Sequence, residues 1–221
     1  TELAADRRVS QLTGHPSVAA KSILYSRDTK REIPMTITLL QLWMPIVLGT
    51  FLAWVASALI HVVAKYHNSD YQPLANEDEV MAAVRNGSPN LGIHTLPYCA
   101  EMSDMNKPEV QEKFNKGPVA LLAVFPNGLP NMGKLMPQQI GFFLLGCILI
   151  AYCATQVLPA GADYMTVFRF VSTVGFLAFG WAMIPMSIWY GHTWTSTMKY
   201  LVDALIYGLV VAGSFAWLWP A

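Results

Sequence analysis

Asp, Glu, Lys and Arg are absent from residues 34–64, 135–162, 170–198 and 204–221, and charged or turn-forming residues fill the intervals between these stretches. A helix crossing a hydrocarbon core needs about 20 apolar residues. The pattern therefore predicts four membrane spans, near residues 37–63, 140–158, 170–190 and 201–219. The connections 159–165 and 191–199 are short, which makes the last three spans antiparallel neighbours.

Two polar segments remain. Residues 66–134 hold eight acids and five bases and carry two helix signatures. In "ANEDEVMAAVRNG" Asn76 is placed to cap, Glu77, Asp78 and Glu79 suit the positive end of the dipole, and Gly87 ends the helix. In "NKPEVQEKFNKG" Asn106 is the expected cap, with Pro108 in the first turn and Gly117 as the stop. "GIHTLPY" and "VALLAVF" have the length and composition of strands. The expected fold is an all-α membrane protein, with four transmembrane helices and a small α/β-like polar cap between helices 1 and 2. Its divisions are a polar arm (1–34), the first helix (35–65), a membrane-apposed cap (66–136) and a three-helix bundle (137–221).

Composition agrees with this pattern: 54% of residues are hydrophobic and 13% charged, against roughly 25% charged in soluble domains. Fourteen acids balance fourteen bases, so no global field points to nucleic acid. Cys99, Cys147 and Cys153 form neither a disulfide framework nor a C-x-x-C pair. The arm is too polar to fold alone, and two readings stand: a cytosolic arm, or upstream sequence with Met35 as the true start. With Met35 as the start, the bases near span ends (Lys65, Arg85, Lys116, Lys134 and Lys199 against Arg169) put the cap in the cytoplasm of a bacterial-type inner membrane.

"GLPNMGK" at 128–134 has phosphate-loop spacing, but Pro130 removes a donor, Leu135 stands where Ser or Thr would meet magnesium, and a span follows. The stretch reads as a turn into the second span, and no nucleotide is expected. Gly49, Ala53 and Ser57 in the first span, and Gly208, Ala212 and Ala216 in the fourth, repeat every four residues, a spacing that lets helix backbones approach in lipid.

Three sets of residues bear on chemistry. His61 and His192 fall at span ends on one face of the membrane, where two imidazoles suit a haem or a quinone pocket. His94, Cys99, Met102 and Met105 are soft donors that suit Cu(I). Asp163 with Arg169, and Lys199 with Asp203 as an i, i+4 pair, read as anchors at span ends. No nucleophile-and-base arrangement for catalysis is discernible. The functional expectation is an accessory or assembly subunit, or a self-associating scaffold, that meets the lipid bilayer and a membrane-protein partner or further copies of itself. The alternatives are a small-solute channel using Gln41 or Gln156, and a haem- or copper-binding redox subunit.

Overall fold

A computed structural model describes residues 37–221; the arm 1–34 and the question of Met35 lie outside the described residues. Four helices are long and apolar enough to cross a membrane: Leu39–Ala64, Met132–Val157, Tyr164–Trp189 and Trp194–Trp217. The first consists of a 3-10 turn, Leu39–Leu42, then α1 (Trp43–Ala58) and a π-helical segment, Leu59–Ala64. Between the first and second lie α2 (Glu77–Asn86), β1 (Gly92–Leu96), α3 (Pro108–Lys116) and β2 (Ala120–Val124). The second is α4 (Met132–Val157). The third joins α5 (Tyr164–Gly180) to α6 (Ile184–Trp189) through a 3-10 turn, and the fourth is α7 (Trp194–Trp217).

The helices extend beyond the purely apolar stretches, because side chains cap them further out. Asn131 accepts from the Lys134 N–H, so α4 starts at Met132 and "MGKLMPQQ" is helical. Thr193 accepts from the Ser196 N–H and starts α7 well before the fourth apolar stretch. Asp163 caps α5 by accepting from both the N–H and the hydroxyl of Thr166. In the cap region the strands pair antiparallel, with Gly92 opposite Val124 and Leu96 opposite Ala120. The expected side-chain caps differ. Lys107, in extended conformation, precedes α3 in place of Asn106, which ends the 3-10 turn Met102–Asn106. Asn76 stands at the α2 cap position, yet its amide reaches the Glu79 side chain rather than a backbone N–H.

α7 is the hub of the apolar helices, packing most extensively on α5 and next on α1, while α1 also packs on α4. Phe143, Cys147, Ile150, Val167, Val171, Val211 and Phe215 fill the space between them and are fully buried. The small residues sit inside this chain's own packing: Gly49 faces Val211, Cys147 and Phe215, and Gly208 lies against the backbone of α5 at Ser172, Gly175 and Phe176. Ala53, Ala212 and Ala216 are buried in the same core and Ser57 is half-buried.

The Thr166 hydroxyl and N–H hold Asp163's carboxyl below the usual carboxylate value, against a smaller opposing effect of burial. A depressed folded-state pKa contributes stability above the unfolded value of about 4 and loses it as pH falls through the folded value. Asp163→Ala is therefore expected to lower the unfolding temperature at pH 7. The gap from wild type should narrow as pH falls through the folded value, in thermal melts followed by circular dichroism; a gap unchanged by pH would contradict the assignment.

Candidate functional site

The first apolar helix ends in an unusual way. Its π-helical last turn runs into Lys65, which takes a left-handed conformation (φ 54°). That reversal folds the following 3-10 turn, Tyr66–Asp70, back against the helices. His67 is consequently buried, with its ring stacked parallel on His61 at a centroid separation of 5.0 Å. π-helical turns often accompany functional sites, since the extra residue redirects side chains.

From the other side α7 brings Lys199, Tyr200 and Asp203. Asp203 is only 2% exposed although it stands well inside an apolar helix. One of its carboxylate oxygens accepts from the Tyr66 hydroxyl, and the other lies 2.9 Å from His67 Nε2. The opposite nitrogen of His67, Nδ1, lies 2.9 Å from an Asp70 oxygen. Lys199 donates to the other Asp70 oxygen at 2.6 Å, to Ser69 Oγ at 2.7 Å and to the Tyr66 carbonyl at 2.8 Å. Lys199 and Asp203 thus do not pair with each other as their i, i+4 spacing suggested. Each has a separate partner in the turn after the first helix, and Asp203 is a buried group rather than an anchor at a span end. The Lys199 hydrogen bond holds Asp70's carboxyl below its ordinary value, burial opposes this, and His67 adds to the lowering. The carboxylates of Asp70 and Asp203 thus flank the two ring nitrogens of His67, and Lys199 meets Asp70 at its other oxygen.

His61 completes the cluster. Its Nδ1 lies 3.0 Å from the Ser57 carbonyl, which can only accept, so Nδ1 carries the hydrogen and Nε2 presents a lone pair. No partner for that Nε2 appears among the described residues. His61, His67 and Asp203 each place one ligand atom within 4.8 Å of the others, and they are the only such group of His, Cys, Asp or Glu found among the described residues. Both imidazoles have Nδ1 engaged by an oxygen, the arrangement that fixes the tautomer and orientation of metal-bound histidines.

A cavity of about 510 Å³ opens beside the cluster, lined by His61 and Asp203 together with residues of all four apolar helices. It lies where the first and third helices end and the second and fourth begin, as antiparallel packing requires.

The other singled-out residues lie apart from this cluster. His192 is half-buried between α6 and α7, its backbone N–H bonded to the Met186 carbonyl, and it does not line the cavity that holds His61. His94 on β1 turns Nε2 to the Asn90 carbonyl at 2.9 Å. Cys99 donates to the Glu101 carbonyl at 3.1 Å. Cys99 and Met105 line a separate cavity of about 390 Å³ under Trp189, which neither His94 nor the highly exposed Met102 lines. Gln41 accepts from the Thr38 N–H at the start of the first helix, and Gln156 donates to its neighbour Thr155.

His67 and Asp70 were missed as site residues because a position just after an apolar helix reads as an interface anchor. The available signal was density: two His, a Lys, two Tyr, a Ser and an Asp fall within residues 61–71. No protein-family model, no curated protein and no solved structure matches this chain.

Proposed function

We propose that the protein is an integral membrane protein that holds one divalent transition-metal ion between His61, His67 and Asp203. This reading develops the metal-binding alternative from the sequence. The observation that carries it is the convergence of two imidazoles and one carboxylate within 4.8 Å, each imidazole backed through Nδ1 by an oxygen. The metal would replace the proton shared between His67 Nε2 and Asp203, leaving Asp70 and the Ser57 carbonyl as outer partners of the two rings. Two nitrogens and a carboxylate suit borderline ions such as Zn²⁺ or Fe²⁺ and leave coordination positions for a ligand.

A role as an accessory or assembly subunit is compatible with such a centre, since a metal-holding subunit can serve a larger membrane complex. Packing within this chain already engages Gly49 and Gly208, so self-association through those stripes draws no support from them.

Isothermal titration of the chelator-treated protein in detergent with Zn²⁺ tests the proposal. One equivalent is expected to bind, and Asp70→Asn should weaken binding about 10- to 100-fold, the usual effect of losing a carboxylate behind a metal-bound imidazole. No saturable zinc binding, or an affinity indifferent to Asp70→Asn and His61→Ala, would sink it.

A further inference from the structure

The cavity beside the cluster has a composition that selects a ligand. Aromatic rings such as Trp54 and Phe179 and thioethers such as Met136 make much of its wall, while His61, Asp203 and Gln139 are among the residues that bring polar atoms. A concave site of roughly 300–1,000 Å³, mostly apolar with a few convergent polar groups, is the usual form of a small-molecule pocket. Its position at one end of the four apolar helices gives it access to the boundary between hydrocarbon and headgroups. An occupant would bring an apolar body from the bilayer and a polar head to the His61–Asp203 edge.

The chemistry of that edge narrows the head. His61 Nε2 is an unpartnered acceptor beside the Asp203 carboxylate, whose oxygens already meet Tyr66 and His67, so without metal this edge calls for a neutral hydroxyl donor and repels a fatty-acid carboxylate. With a metal held by these residues, an open coordination position would take the same oxygen, while the cation would repel an ammonium group. Aromatic walls favour a planar ring behind the hydroxyl, because stacked or edge-on rings gain about 0.5–1.5 kcal/mol beyond simple burial.

We propose that this cavity binds a lipid-soluble quinol or related phenol, its hydroxyl directed at His61 and Asp203. The inference rests on the metal reading for the state with metal bound, and it is separately testable. The probes are a decyl-substituted benzoquinol and its dimethyl ether, titrated anaerobically into zinc-treated protein in lipid nanodiscs. Tryptophan fluorescence gives the readout, since Trp54 lines the cavity.

The quinol is expected to quench saturably, and the ether, which has no hydroxyl to donate, to bind at least tenfold more weakly. Ala58 lines the cavity without contributing a polar side chain, so Ala58→Phe should fill the space and weaken the quinol at least tenfold while zinc binding persists. Gln139→Leu provides a second variant, with a smaller but measurable loss. Equal binding of quinol and ether, or quenching indifferent to both variants, overturns the ligand assignment and leaves zinc binding as it stands. Quinol binding with the ether and Ala58→Phe effects, in a protein that takes up no zinc, supports the assignment and overturns only the metal reading.

Discussion

Asp203→Ala is expected to abolish zinc binding and to lower stability by about 3–5 kcal/mol, the range found when one partner of a buried charge pair is removed. The alanine leaves the Tyr66 hydroxyl without its acceptor and His67 Nε2 without its carboxylate, on a face from which water is largely excluded. Single hydrogen bonds between membrane helices average only about 0.6 kcal/mol. A loss of several kcal/mol would therefore mark an uncompensated charge left in the cluster, not the lost bonds alone. Asp203→Asn separates the two roles. It keeps the volume and an acceptor for Tyr66, so its stability loss should be well under that of the alanine, yet a neutral amide is a poor metal ligand and zinc affinity should still fall at least 100-fold. Unfolding in graded SDS, followed by circular dichroism, measures the first effect and zinc titration the second. An asparagine variant with wild-type zinc affinity would reduce the cluster to a structural ion network.

The four apolar helices were legible because a stretch without charge, long enough to cross a membrane as helix, is a one-dimensional signal. Helix ends were less legible, because they depend on single side chains such as Asn131 and Thr193 that carry a helix beyond its apolar stretch. The strand pair and the two short helices of the cap followed from local turn and capping signals, though Lys107 stands where Asn106 was expected. His61 stands out from its place near the end of an apolar stretch, and the sequence sets it at the same end as His192 without showing that His67 stacks on it. His67 lies six residues on, and a straight continuation of the helix would carry it away from the cluster. The left-handed turn at Lys65 brings it back under His61, and nothing about a lysine announces positive φ. The apolar stretch alone puts Asp203 at a helix start near residue 201; with α7 starting at Trp194 the same residue lies well inside the helix, against Tyr66 and His67. Its functional reading depends on that shift.

Gly208→Val is expected to cost more than any other change at the small-residue positions and to weaken zinc binding without touching a ligand. A Cβ at Gly208 would sit 2.9 Å from the Ser172 carbonyl oxygen and 3.0 Å from the Phe176 nitrogen, and a Cβ at Gly175 would sit 2.9 Å from the Gly208 Cα. All of these neighbours are backbone atoms, so no rotamer change makes room and α5 must move away from α7. Overpacking of this kind costs about 1–3 kcal/mol, occasionally more, and close packing is the main force holding helices together in lipid. Gly49 reads the same in the sequence but behaves differently: its Cβ would meet side chains no closer than 3.5 Å, so Gly49→Ala should be tolerated. Gly213 is the control, with nothing within 4 Å of an added Cβ; Gly213→Ala should be neutral or stabilise by up to about 1 kcal/mol through helix propensity. The consequence for function follows from the register of α7, in which Asp203 lies five residues before Gly208 on the helix that valine displaces. A shift of α7 moves Asp203 away from His67, which α1 and its following turn hold in place. Graded SDS unfolding should rank the variants as Gly208→Val, then Gly49→Ala, then Gly213→Ala, with zinc affinity reduced only in the first. Wild-type stability in Gly208→Val would show that α5 and α7 do not approach as closely as their backbones indicate.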